Sequence, residues 1–111
     1  MLEKRAKNLD QLLKLYIKEL EKVIRVEKVY LFGSYAAHKE RDYSDIDIAV
    51  ISPDFEGGTE KDYLILGRAA LKIYPLIEAR PYRPEDIKTL SSLDFLSEIL
   101  NKGKLIYDKA A

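Results

Sequence analysis

The chain has 111 residues, 47% of them hydrophobic, which is enough for one small domain with a core of its own. Its 19 basic and 19 acidic residues cancel, which argues against nucleic acid as a main partner bound through net charge. Cysteine is absent and there is one histidine, which excludes a disulfide scaffold, a thiolate metal site and a multi-histidine zinc site.

The sequence contains neither a bilayer-spanning apolar run nor a secretory segment at its N-terminus. We therefore expect one domain over residues 1–111, located in the cytoplasm and without membrane contact. No further substrate domain is expected, because too few residues follow the last predicted helix.

The first half of the chain predicts one helix and two strands. Apolar residues recur at helical spacing from Leu9 to Ile24, and a β-rich stretch follows from Val26 to Phe32 and ends at Gly33. A second strand runs from Asp45 to Ile51. Strand alternation divides its residues between two faces: Ile46, Ile48 and Val50 on one, Asp45, Asp47 and Ala49 on the other.

The second half predicts two more helices and a third strand. Thr59 to Asp62 resembles a capping box that opens a helix. The predicted inner stripe of that helix is Tyr63, Leu64, Gly67, Ala70, Leu71 and Tyr74. A strand from Leu76 to Tyr82 follows Pro75, and a short helical turn begins at Pro84.

Ser91 to Asp94 caps a last helix that ends near Gly103, and Leu105 to Tyr107 predicts a short edge strand. The order α-β-β-α-β-α-(β) is that of a small α/β domain, in which helices flank a mixed β-sheet.

Asp45 and Asp47 are the first candidate site. Residues two apart in a strand point the same way and lie roughly 6.6 Å apart, so these carboxylates stand side by side. Two neighbouring carboxylates repel unless a cation neutralises them, and oxygen ligands suit a hard ion such as Mg²⁺. The alternative is that the pair caps a loop or binds Arg41 or Lys39.

Gly33, Ser34 and Glu78 extend this candidate site. Gly33 ends the first strand, where the missing side chain lets a phosphate approach the backbone, and Ser34 offers an N–H and a hydroxyl. Glu78 is the best candidate for a third carboxylate, because it lies between apolar residues of the third strand. The alternative for Glu78 is a salt bridge with Arg80 or Arg83.

Gly33-Ser34, ten residues and then Asp45-Ile46-Asp47 resemble the signature of the nucleotidyltransferase superfamily that includes DNA polymerase β. The stretch from Ser44 to Val50 looks especially like the minimal nucleotidyltransferases of bacteria and archaea. The resemblance implies the polymerase β-like fold and transfer of a nucleoside monophosphate, such as AMP from ATP or from another NTP, to an acceptor hydroxyl.

The resemblance also implies a role for each residue of the motif. Gly33 and Ser34 hold the phosphates of the nucleotide. Asp45 and Asp47 bind two Mg²⁺ ions, with Glu78 as the third metal-binding and catalytic carboxylate. One departure stands out: many minimal members read Ala-Arg-Gly where this chain reads Ala36-Ala37-His38, which removes a charge near the phosphates.

Small members of the family are commonly paired with a helical HEPN protein, as the antitoxin of a toxin–antitoxin system. The resemblance therefore implies a HEPN-type partner whose tyrosine accepts AMP. Either this partner or self-association of the chain would supply the walls of the nucleotide and acceptor sites that so small a domain lacks. The alternative function is a non-catalytic antitoxin that neutralises its partner by contact. Transfer to a small molecule ranks below both, because no substrate domain is present.

Overall fold

The computed structural model describes residues 9–36 and 44–111. Within these ranges the elements are, in chain order, α1 (Leu9–Leu20), β1 (Lys28–Phe32), α2 (Gly33–Ala36), β2 (Ile46–Ile51), α3 (Glu60–Ile73), β3 (Ile77–Tyr82), α4 (Pro84–Lys88), α5 (Phe95–Lys102) and β4 (Lys104–Asp108). The order confirms the predicted small α/β domain with its mixed sheet. It adds α2, a single turn directly after β1.

The four strands form one sheet in the order β3-β2-β1-β4. β1 is antiparallel to both β2 and β4, whereas β2 and β3 are parallel. A parallel pair needs a crossover connection, and α3 supplies it between β2 and β3. The predicted edge strand at Leu105 to Tyr107 is confirmed as part of β4.

The main core lies on one face of the sheet. Ile46, Ile48 and Val50 of β2 are fully buried there against α1 and α3. The buried hydroxyl of Tyr16 on α1 donates a hydrogen bond of 2.8 Å to the carbonyl of Leu66 on α3, which joins the two helices. This face carries most of the apolar burial and positions the sheet.

A smaller cluster covers part of the opposite face. Ala49 of β2 packs there with Leu96 and Ile99 of α5, and Ile87 and Leu90 close the cluster. The alternation predicted for β2 is therefore confirmed, since its even-numbered residues face the main core and Ala49 faces α5. One end of this second face, around Asp47, remains outside the apolar cluster.

The N-terminal cap of α3 is confirmed, but its predicted inner stripe is confirmed only at Ala70 and Tyr74. Thr59 caps the helix and Asp62 completes the capping box. The structure buries Leu66, Ala69 and Ala70, while Tyr63, Leu64 and Leu71 are 48%, 49% and 75% exposed. Asp62 helps to fix which side of α3 faces the core. Its buried carboxylate accepts hydrogen bonds from the backbone N–H groups of Glu56, Gly58 and Thr59.

None of the helices in residues 9–36 and 44–111 combines the length and the apolar composition that crossing a bilayer requires.

Candidate active site

Asp47 and Glu78 occupy directly paired positions on the parallel strands β2 and β3. Paired residues of adjacent strands point to the same face, and their backbones lie about 4.8 Å apart. Asp45 immediately precedes β2, two residues before Asp47. Three of the residues that the sequence predicted for the site are therefore brought together by strand register.

The electrostatics of Asp47 report this crowding. Asp45 and Glu78 are exposed, whereas Asp47 is half-buried. The pKa of Asp47 is raised, first because burial removes water from its carboxylate and then because the charges of Glu78 and Asp45 repel it. The positive charge of Arg80 opposes this shift. The site is thus a concentration of negative charge that a cation would stabilise.

The donor chemistry of this cluster fits a hard divalent cation, because all of its ligands would be carboxylate oxygens. As the side chains are placed, residues 9–36 and 44–111 contain no group of three or more acidic, histidine or cysteine side chains that could hold a metal ion. The fit therefore rests on the oxygen donors, their shared face and the raised pKa of Asp47.

Gly33 touches the same carboxylate from the end of β1. Its φ of +71° lies in the left-handed region that favours glycine. A Cβ at this position would clash with Oδ2 of Asp47 and lie 3.1 Å from its Cγ. The pairing of Phe32 with Asp47 explains this proximity, since Gly33 is the next residue along the chain. Glycine is therefore needed both for the turn and for the approach to Asp47.

Ser34 follows Gly33 in the single turn of α2 and is half-buried. The predicted order of elements did not include this turn. Two predictions concern residues outside the described ranges. One is the loss of a charge near the phosphates, at Ala37 and His38, and the other is an ion pair of the aspartates with Lys39 or Arg41.

The alternative for Glu78, an ion pair with Arg80 or Arg83, is not what the described residues show. Arg83 instead pairs with Glu85 at 3.5 Å and with Asp86 at 3.2 Å. In the described part of the chain, Glu78 takes part in no ion pair within 4.0 Å. Its carboxylate is left exposed beside Asp47.

The sequence reasoning missed an aromatic wall beside the carboxylates. The ring of Phe32 on β1 meets the ring of Phe95 on α5 edge to face, with centroids 5.8 Å apart. The guanidinium carbon of Arg80 lies 4.8 Å from the centroid of Phe95. The available signal was the two-residue spacing of Glu78 and Arg80 on β3, but the contact with α5 cannot be predicted from spacing.

Residues 13–111 match the model of the family described as Polymerase beta, Nucleotidyltransferase, and the chain belongs to this family. This confirms the family membership that was predicted from Gly33-Ser34 and Asp45-Ile46-Asp47. The search of curated proteins found no match.

Solved structures show the same fold. A Sulfolobus solfataricus protein described as a nucleotidyltransferase is 18% identical with a TM-score of 0.68, over 96% of this chain and 86% of the other. A toxin–antitoxin structure with AMP-PNP is 24% identical with a TM-score of 0.58, over 86% and 73%. The toxin–antitoxin MntA-HepT is 22% identical with a TM-score of 0.51, and the match covers 85% of this chain and 68% of the other.

Proposed function

We propose that this protein is a Mg²⁺-dependent nucleotidyltransferase that moves AMP from ATP to a tyrosine hydroxyl of a HEPN-type toxin, and so acts as an antitoxin. The observation that carries the proposal is the pairing of Asp47 with Glu78 on one face, directly beside Gly33. Membership of the nucleotidyltransferase family supports transferase activity in general. We further propose that residues 1–111 form one minimal domain.

Asp45, Asp47 and Glu78 would hold the Mg²⁺ ions, two in number as the family resemblance implies. Divalent ions bound there would stabilise the negative charge of the reacting phosphate and of the entering and leaving oxygens. The missing side chain of Gly33 lets the carboxylate of Asp47 lie against the turn. Ser34, the next residue, would offer hydrogen-bond donors to the phosphate chain. Asp47 and Glu78 sit on strands, which hold them more rigidly than loops would, and Asp45 immediately precedes β2.

The reaction is a substitution at the α-phosphorus. The oxygen of the acceptor hydroxyl forms a bond to this phosphorus while the bond to the bridging oxygen of the β-phosphate breaks. Pyrophosphate leaves, and the proton of the hydroxyl passes to solvent water. Alignment of the two substrates and stabilisation of charge supply most of the acceleration in such a transfer.

The partner is inferred from the neighbours in fold. Two of the similar structures are toxin–antitoxin assemblies, and one of them was solved with AMP-PNP. These resemblances support a toxin as the acceptor and ATP as the nucleotide for this chain. A HEPN identity of the toxin comes from the family resemblance.

The test is transfer of label from α-labelled ATP, with Mg²⁺, to the product of the adjacent gene. We expect label on the partner with the natural chain and a loss of roughly 100-fold or more with Glu78→Gln, since it removes a charge from the reacting centre. Glu60→Gln is the matched control, because Glu60 is exposed on α3 and should leave transfer unchanged. Equal transfer by both variants would refute the role of Glu78.

A second candidate is a non-catalytic antitoxin, which the departure at Ala37-His38 favours. The double variant Asp45→Asn/Asp47→Asn separates the two functions in a toxicity assay. Neutralisation of the toxin by this variant supports the contact antitoxin. A folded double variant that still binds the toxin without neutralising it supports the enzyme.

A further inference from the structure

Arg80 is an exposed cation on the same face as the carboxylates. It follows Glu78 by two residues on β3 and pairs in register with Ala49, as Glu78 pairs with Asp47. Side chains two apart in a strand share a face and lie roughly 6.6 Å apart at the backbone. Arg80 is thus one step along the strand from the acidic cluster.

The aromatic wall holds the guanidinium in place. Arg80 lies over the ring of Phe95 at 4.8 Å, within the range of a cation–π interaction. Phe95 is in turn fixed by its edge-to-face contact with Phe32, the residue that pairs with Asp47. Contacts from β1 and α5 therefore restrain a side chain that is otherwise among the most mobile in proteins.

In the described part of the chain, Arg80 makes no ion pair within 4.0 Å. Its side chain hydrogen-bonds to Tyr82, two residues further along β3. A guanidinium has five N–H donors, so this contact leaves others that a ligand can use. The charge of Arg80 reaches Asp47, which gains stability in the ionised form from it. A restrained and exposed guanidinium is a planar fork that can donate two parallel hydrogen bonds to two oxygens of a tetrahedral phosphate group.

We propose that Arg80, braced by Phe95, binds the α-phosphate of the nucleotide from the β3 side of the site, opposite Gly33-Ser34. This assignment rests on the proposed nucleotidyl transfer. It gives the α-phosphate a cation from β3 in a chain whose sequence has Ala37 where many minimal members have arginine. The β- and γ-phosphates remain with Gly33 and Ser34.

Binding of ATP and of AMP with Mg²⁺, measured by calorimetry without acceptor, tests the assignment. We expect Arg80→Gln to weaken both nucleotides by a similar factor, about 10-fold, because charge-assisted hydrogen bonds to the shared α-phosphate are lost. Arg80→Lys should recover part of the affinity, since it keeps the charge without the planar fork. Phe95→Leu should weaken binding less than Arg80→Gln, because it removes only the brace.

Arg68→Gln is the matched control, since Arg68 is exposed on α3 against the opposite face of the sheet. Arg80→Gln affinities equal to those of the natural chain or of Arg68→Gln would overturn the assignment. So would a loss for ATP without a similar loss for AMP, because the contact would then involve the other phosphates. A natural chain that binds neither nucleotide refutes the proposed function itself, whereas a fault in Arg80 alone leaves that function standing.

Discussion

The two faces of β2 differ in what their residues do. Ile46, Ile48 and Val50 are completely buried under α1 and α3 and carry the fold. Asp45 and Asp47, from the same short stretch, face the other way and gather charge with Glu78. One strand thus supplies stability with one set of alternate residues and the candidate site with the other.

The buried face of the sheet therefore supplies the stability of the domain, and the candidate site lies on the opposite face. The raised pKa of Asp47 indicates that its ionised carboxylate opposes folding when no cation is bound. Substitutions in the buried face should therefore lower the stability of the fold, whereas removal of the charge of Asp47 should raise it.

The largest effect on stability is expected from Ile48→Ala on the buried face. Ile48 has no exposed surface, so truncation removes apolar burial and leaves a cavity. We expect a loss of about 2–5 kcal/mol in the free energy of unfolding, measured by urea denaturation. Ile48→Val is the control and should cost only about 0.5–1.5 kcal/mol. A loss for Ile48→Ala no larger than that of the control would contradict the assignment of this face to the core.

Gly33→Ala tests the contact between the turn after β1 and the carboxylate of Asp47. The added Cβ meets a positive φ and the carboxylate of Asp47, so we expect a loss of about 1–3 kcal/mol in stability. Gly58→Ala is a matched control, because Gly58 has a φ of +87° but no atom within 4 Å of an added Cβ. Equal losses for both variants, measured by urea denaturation, would show that Asp47 does not crowd Gly33.

Asp47→Asn should have a smaller and opposite effect on stability. Since the folded-state pKa of Asp47 is raised, the folded protein binds the proton more tightly, and stability falls as pH rises from 3.8 through that raised pKa. Removal of the charge should therefore raise the unfolding temperature at neutral pH without Mg²⁺, and the gain should vanish below pH 3.8. A lower unfolding temperature at neutral pH would contradict the electrostatic description.

Asp54→Asn supplies the reverse case and the smallest effect. Arg25 donates hydrogen bonds to Asp54, and this lowers the pKa of Asp54 to about 2. The stabilisation is present above pH 3.8 and is lost as pH falls towards 2, so the variant should unfold at a slightly lower temperature at neutral pH. Unfolding temperatures measured from pH 7 downwards check this, and a variant whose deficit stays constant down to pH 2 would refute it.

Much of the fold could be predicted because its signals are local. The alternation along Asp45 to Ile51, the cap at Thr59 and the final strand all depend on neighbouring residues, and each was confirmed. The buried face of α3 was predicted correctly at Ala70 but wrongly at Tyr63, Leu64 and Leu71. It depends on Asp62, whose carboxylate gathers backbone N–H groups of the preceding loop, and apolar spacing does not report that contact.

The candidate site divides in the same way. Gly33 and the aspartate pair form a local motif, and Glu78 was found as a charge between apolar residues of the third strand. The wall formed by Phe32, Phe95 and Arg80 joins three separate elements, so its contacts follow only from the packing of α5 on the sheet. Spacing along the chain carries no information on such a contact.

We propose that the carboxylates on the second face of the sheet bind Mg²⁺ together with ATP. Calorimetric titration of ATP with Mg²⁺ into the natural chain and into Asp47→Asn tests it most directly. We expect Mg²⁺-dependent binding of ATP to the natural chain. We expect no detectable binding of ATP to Asp47→Asn, whose fold should be intact. Equal binding by both proteins would contradict it.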